Sequence, residues 1–310
     1  MQIGLMMRSS QHKAPGCGRT VRWSELRELA RLAEDIGVDT LFVADHLVFR
    51  PAPGLTIPNG RASGVWEGWT LLTALSQVTQ RVRLGPFVAC TTFRNPALLA
   101  EMADTLDEVS NGRLILGLGA GWHEPEHAAF GYSFEPRVSR FEEALQIIVP
   151  LLHEGHVDFE GRFYQARECE LLPRGPRAGG PPIWIGARRP RMMALAARYA
   201  DAYNTDMLQD PADLDGVRAG FKILDDACRS VDRDPSTMLR TSGAFVALEG
   251  AANDPAGLPS GYVSGSTGEV VDWFRRLRAT GVEHATIWLS PWNARGLEQL
   301  APIVEAVHRL

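Results

Sequence analysis

The chain has 310 residues, 45% apolar and 22% charged, with a formal net charge of −5. That balance is ordinary for a globular protein and argues against a nucleic-acid partner, which would call for a basic stripe. No apolar run reaches bilayer length, so no membrane partner is expected.

The elements follow in chain order. A first strand is predicted at 2–7, an apolar run too short, and without the basic leader, for a secretory signal. A helix at 23–36 sets Leu26, Leu29, Ala30, Ala33 and Ile36 on one face, with Gly37 as its stop. Strand two, at 40–45, runs through Leu41-Phe42-Val43 into Asp45-His46. Arg50 to Gly68 is a long loop, followed by a helix at 69–79. Strand three lies at 82–89. Asn95-Pro96 then starts a helix with an N-cap side chain and a first-turn proline, and Asn111-Gly112 ends it. Strand four lies at 114–119, residues 122–136 read as a loop, and an amphipathic helix fills 137–153. The segment from Gly155 to Pro182 holds a hairpin at 157–164 turning at Glu160-Gly161. Strands at 183–187 and 201–205 precede helices at 190–199 and 211–231. A strand at 240–248, a Gly/Pro/Asn-rich loop from Glu249 to Gly265 and a helix at 267–280 follow. The last pair is a strand at 285–290 and a helix at 296–308.

Continuous apolar runs are what buried parallel strands need. Eight strand–helix units favour a closed α/β barrel over an open doubly wound sheet. Barrels of this kind run past 250 residues as one domain, so 1–310 is read as a single domain. Cys17, Cys90, Cys169 and Cys228 are scattered, with no CxxC and no zinc spacing. They are expected to be reduced thiols in a cytoplasmic protein.

An α/β barrel gathers its functional groups at the C-terminal ends of its strands. Asp45-His46 sits at such an end. The histidine suits general acid–base work near neutral pH, and the adjacent carboxylate could orient it. Gly117-Leu118-Gly119-Ala120-Gly121 lacks the spacing of a dinucleotide fingerprint. Its glycines either admit a flat ring close to the backbone or simply fill the barrel. Gly186-Ala187-Arg188-Arg189-Pro190-Arg191 precedes a helix, where unpaired N–H groups and guanidinium groups favour an anion. Thr205, at the next strand end, can add a hydroxyl. Residues 85–92 alone read as a buried strand. Phe49, Trp66, Trp69, Trp122 and Phe130 suggest an apolar pocket for a ring, with Glu67 and His123 as further ionisable groups. His123 and His127 have zinc-like i, i+4 spacing, but Pro125 interrupts them and no metal is expected.

Several segments match a known family together and in order. They are Leu41 to His46 (LFVADH), Arg83 to Pro96 (RLGPFVACTTFRNP), Gly112 to Glu126 (GRLILGLGAGWHEPE), Arg140 to Glu143 (RFEE), Pro182 to Arg189 (PIWIGARR) and Ala200 to Thr205 (ADAYNT). As a set, nearly along the whole chain, they resemble the bacterial luciferase-like flavin and deazaflavin oxidoreductases. The similarity is greatest to the branch that uses coenzyme F420.

The resemblance implies a TIM barrel, (β/α)8, with an insertion between strands four and five. It implies His46 as the active-site histidine with Asp45 beside it. A non-prolyl cis peptide pressing on the cofactor ring falls near Phe87-Val88. Cys90, Ala120, Gly121 and Trp122 would line the ring. Gly186, Ala187, Arg188 and Thr205 would hold the phosphate of the tail. Relatives acting on sugar phosphates carry a glutamate at the position of Trp122 and a tryptophan near Arg50. Both are absent here, which points to a less polar substrate, with Phe49, Trp66, Glu67, Trp69 and His123 as its pocket. The expected activity is hydride transfer between F420 and a small apolar compound. One alternative is an FMN-dependent two-component monooxygenase supplied by a separate reductase; another is a non-catalytic flavin-binding protein. Relatives are commonly homodimers, and the same is expected here.

Overall fold

Among the described residues eight parallel strands build the barrel: β1 (Gln2–Met7), β2 (Thr40–Val43), β3 (Arg83–Pro86), β4 (Leu116–Gly119), β5 (Ile183–Gly186), β6 (Ala202–Met207), β7 (Leu239–Ala247) and β8 (His284–Ser290), and the short segment Val263–Ser264 pairs parallel with the end of β7. The computed structural model describes residues 1–11, 21–53, 55, 57, 60–208, 210–251 and 261–310. Cys17, the tip of the loop before Gly68 and most of the Glu249 to Gly265 loop lie outside the described residues.

Neighbours run β3-β2-β1-β8-β7-β6-β5-β4. The ring then closes. Ala89–Cys90 continues β3 beside Leu118 and Gly119, and Leu84 bridges Leu114. The result is the (β/α)8 barrel expected from the alternation.

Strand periodicity divides the core in two. Leu41, Val43, Leu114, Leu116, Ile183 and Ile185 belong to the large core packed under the helices. Their alternates Phe42, Ile115 and Trp184, with Met6 and Ala202, fill the barrel interior. Each fully buried Leu or Ile contributes about 1.5–3 kcal/mol by leaving water.

The outer layer is α1 (Trp23–Asp35), α2 (Gly68–Ser76), α3 (Pro96–Val109), α4 (Glu124–Phe130), α5 (Arg137–Glu154), α6 (Pro190–Tyr199), α7 (Leu214–Arg229), α8 (Thr267–Arg278) and α9 (Ala294–His308). α1 buries Leu26, Ala30 and Ala33, the stripe seen in the sequence. Asn95 caps α3 by accepting the Ala97 and Leu98 N–H groups. Asn111 and Gly112 end it with φ of 56° and 73°.

Between β4 and β5 lies the insertion: α4, α5 and a hairpin of His156–Glu160 with Gln165–Glu170. Two expectations are corrected here. Residues 122–136 contain α4 instead of forming a loop, because Pro125 falls in the first turn, where its missing N–H costs nothing. The hairpin is longer than 157–164, and its turn is Gly161 to Tyr164, closed by Gly161 N–H to Tyr164 O at 3.0 Å. Glu143 on α5 pins that turn by accepting the N–H groups of Arg162, Phe163 and Tyr164.

Cys90, Cys169 and Cys228 are unbridged. Among the described residues no helix is long and apolar enough to cross a membrane.

Candidate active site

His46, Val88, Cys90, Trp122, Gly186 and Thr205 all lie at or just beyond the C-terminal ends of parallel strands, hence on one rim. β2 and β5 are three strand positions apart, roughly 14 Å along the sheet.

The β2 exit corrects one expectation. Asp45 does not serve the His46 ring. It is buried, and its carboxylate accepts the Cys90 N–H at 2.8 Å and a two-pronged bond from Arg94 at 2.7 and 2.9 Å. β2 ends at Val43, and in the turn beyond it the two side chains part, so Asp45 and His46 meet different neighbours. The carboxylate at His46 comes from Glu126 on α4. Its Oε1 lies 2.8 Å from Nδ1, and its Oε2 accepts the Leu47 N–H at 2.9 Å. The Phe49 and Trp122 rings stand 4.4 and 5.4 Å from the imidazole, centroid to centroid. Phe49 is buried, whereas Trp122 is 56% exposed.

Past β3 the Phe87–Val88 peptide is cis, where the resemblance placed such a bond. The β4 glycines make room for it. A side chain at Gly117 would stand 2.3 Å from the Pro86 carbonyl oxygen, and one at Gly119 2.5 Å from a Val88 methyl. Gly121, at φ +81°, leaves its Cβ position to Cys90 Sγ and the His127 ring. The room at these three glycines is therefore used by the protein's own atoms. Ala120 is buried between them.

Burial pushes the Cys90 thiol up to about 12, so it stays protonated. Its Sγ is 3.1 Å from Thr92 Oγ1, which is 2.8 Å from His127 Nε2. His127 Nδ1 faces the His123 carbonyl at 3.1 Å. A carbonyl only accepts, so Nδ1 carries the proton and Nε2 accepts from Thr92. His123 is buried, and its Nε2 accepts the Arg50 N–H at 3.0 Å. Burial holds this ring below the ordinary histidine range despite the nearby Glu126 charge. The i, i+4 histidines thus face different partners. Among the described residues no group of three or more His, Cys, Asp or Glu is arranged to hold a metal.

Two pocket expectations are also corrected. Glu67 caps α2 through the Trp69 and Thr70 N–H groups and pairs with Arg94 at 3.1 Å. Trp69 is part of the main core, with the Arg94 guanidinium 5.6 Å from its ring. Helix capping and core packing account for both. Trp66 donates its indole N–H to Val21 O and keeps an exposed ring.

The β5 exit is different in character. A Cβ added to Gly186 meets nothing within 4 Å. The first turn of α6 follows, with Arg189 at its N-cap and no side chain capping it. Arg188 and Arg189 are exposed, while Arg191 pairs with Glu142 on α5. Ala187 is buried, its carbonyl accepting from the Tyr203 hydroxyl. Thr205 Oγ1 donates to Ser242 Oγ at 2.9 Å.

Arg94, Glu126, Phe245, Tyr262 and Trp288 were not among the residues expected from sequence. An aromatic row runs from Phe87 to Trp288 to Phe245 to Tyr262, with centroids 5.8, 5.8 and 6.3 Å apart. Strand parity could have found Trp288, since Ala285, Ile287 and Leu289 pack outward.

The family model described as luciferase-like monooxygenase matches residues 1–254. The chain belongs to that family. Among curated relatives of this family member, a phthiodiolone/phenolphthiodiolone dimycocerosates ketoreductase of Mycobacterium sp. (strain JLS) is 34% identical over 233 residues, 70% of this chain and 59% of its own. An F420-dependent glucose-6-phosphate dehydrogenase of Amycolatopsis mediterranei (strain U-32) is 31% identical over 224 residues, 67% of this chain and 63% of its own. The aligned part of the chain thus spans about three fifths of the length of these two relatives. A solved F420-dependent secondary alcohol dehydrogenase in complex with an F420-acetone adduct superposes with a TM-score of 0.80 at 21% identity, covering 99% of this chain and 98% of that one. At that identity the likeness is one of fold.

Proposed function

We propose that this luciferase-like family member is an F420-dependent oxidoreductase acting on a small, apolar alcohol or carbonyl compound. One observation carries the reading: a shielded histidine and an open, uncapped helix N-terminus share one barrel rim. The names of the two curated relatives, a ketoreductase and an F420-dependent dehydrogenase, agree with it.

The residues fit a ring with an anionic tail. The open space over Gly186 leaves room for a tail, and the N–H groups of α6 with Arg188 and Arg189 suit a phosphate. The rings of Phe87 and Trp288, with Val88, give a flat cofactor and an apolar substrate a dry wall. When bound there, F420 supplies a two-electron hydride carrier. His46 moves the accompanying proton at its imidazole. Phe49 and Trp122 hold the ring and shield it from water. Asp45 and Arg94 fix the Cys90 backbone, and so the turn after β3.

The test is a titration of the purified protein with F420 and FMN side by side, followed by oxygen uptake with each reduced cofactor. F420 is expected to bind at least about tenfold tighter (~1.4 kcal/mol) with no oxygen uptake. The family's name favours the second reading, an FMN-dependent monooxygenase. Tighter FMN binding with oxygen consumption would replace the first reading by that one.

A further inference from the structure

We infer that Glu126 sets the tautomer of His46 and holds the imidazolium that forms on it, acting as a positioning residue for proton transfer. The inference rests on the hydride-transfer reading above for its catalytic meaning; its structural part stands without it.

The first ground is direction. A carboxylate oxygen only accepts hydrogen bonds. With Glu126 Oε1 2.8 Å from Nδ1, the neutral His46 ring carries its proton on Nδ1. Nε2 then carries the lone pair. A free imidazole populates both tautomers, and a neutral ring protonated on Nε2 has no lone pair there to take a proton.

The second ground is rigidity. Glu126 is 1% exposed and grips two adjacent residues, the His46 ring and the Leu47 N–H. The helix that carries it is tied down on either side of it. His127 bonds to Thr92 beyond β3, and His123 accepts from Arg50 beyond β2. A buried, doubly bonded carboxylate on an anchored helix cannot follow the ring if it turns. It fixes the ring instead.

The third ground is charge. The groups that face His46 are Glu126 and His123 from α4 and its N-cap, Trp122 after β4, and Phe49 after β2. His123 is neutral, since its Nε2 accepts a backbone N–H and burial opposes its charging. Two of the others are aromatic. Asp45 is engaged by Arg94, which it shares with Glu67, and by the Cys90 N–H, and it makes no bond to the ring. Glu126 is therefore the one net charge facing the ring among these groups, and it stabilises the cation in a poorly solvated wall.

In alcohol oxidation the substrate O–H bond breaks and its proton forms an N–H bond at His46 Nε2. The carbinol hydrogen leaves with two electrons as hydride to the oxidised deazaflavin, and the carbonyl forms. His46 becomes an imidazolium paired with Glu126. Carbonyl reduction returns the same proton from Nε2.

The experiment is 15N NMR of histidine-labelled full-length protein, with the His46 signals assigned by their loss in His46→Asn. The wild type is expected to show His46 protonated on Nδ1 when neutral. Glu126→Leu is expected to move the proton to Nε2. Glu126→Gln keeps the volume but replaces one of the two accepting oxygens with an amide nitrogen that only donates, and removes the charge, so His46 takes up its second proton at lower pH in this variant. Turnover with F420 should fall roughly a hundredfold in Glu126→Leu and roughly tenfold in Glu126→Gln, with cofactor Kd and substrate KM within about twofold. A wild-type His46 protonated on Nε2 overturns the inference. So does a Glu126→Leu protein with unchanged His46 signals and turnover, or a loss carried by KM or Kd alone. If the wild type binds no F420 but the NMR shows the Nδ1 tautomer lost in Glu126→Leu, the cofactor reading fails and the assignment of Glu126 stands.

Discussion

The arc of rim from β2 to β4 and the arc at β5 and β6 are built on opposite plans. In the first, polar side chains are paired with one another: Asp45 with Arg94, His46 with Glu126, Cys90 with Thr92, and Thr92 with His127. In the second, Gly186 faces open space and the residues that follow, Arg188 and Arg189, are at the surface. The first arc has the marks of preorganised chemistry, where groups must already point the right way. The second has the marks of a binding site that accepts a charged tail. Substitutions on the two arcs should therefore fail in different measurements.

The largest expected effect is on the first arc. His46→Ala should lower turnover roughly 100- to 10,000-fold while F420 affinity stays within about threefold. Unchanged turnover in steady-state assays would remove His46 from the chemistry. Next is Arg94→Ala. It leaves the buried Asp45 carboxylate without its partner, so urea unfolding should show a loss of about 3–5 kcal/mol. A loss below about 1 kcal/mol would mean that the pair does not hold this arc together.

Gly186→Val tests the second arc. No atom lies within 4 Å of the added Cβ, so the branch point itself meets no clash and the change in stability is expected to stay within about 1 kcal/mol. Binding of F420 should weaken at least about tenfold, or ~1.4 kcal/mol, read by fluorescence titration. Equal affinity would move the tail elsewhere.

The last effect concerns neither arc and serves as a control. His284 lies fully buried at the far end of the barrel, beside Thr40, and burial lowers it to about 3. The unfolded chain takes this proton near pH 6.5, the folded one only near 3. Stability therefore falls as pH drops through that window, and the term is absent above it. His284→Gln should make the acid limb of stability shallower by at most ~1.4 kcal/mol per pH unit, measured by urea unfolding between pH 6.5 and 4. Parallel limbs in the two proteins would contradict the buried neutral state.

The fold was legible where one residue type had one job. Leu41-Phe42-Val43 and Ile183-Trp184-Ile185 are apolar on both faces because both faces are buried. Asn95, Pro96, Asn111 and Gly112 mark helix ends by local backbone chemistry alone. The insertion after β4 was legible only in part: α5 stood out, but the extent and turn of the hairpin did not, nor did α4, where Pro125 reads equally as a breaker or as a first-turn residue. The site was legible in place but not in partnership. His46 and Gly186 announce themselves at strand ends. Which carboxylate meets His46 does not, because Glu126 is 80 residues away and Asp45 is adjacent. Adjacency in sequence misled, since the two side chains part in the turn beyond β2. Glu67 and Trp69 misled by composition: an acid and an indole suit a pocket, a cap or a core equally well, and only packing decides.

The most direct test of the central claim is a crystal structure of the protein with F420. The account predicts the ring between His46 and the Val88 turn, and the phosphate within hydrogen-bond distance of the Gly186 to Arg191 backbone. A cofactor bound with its ring or its phosphate away from this rim would contradict it.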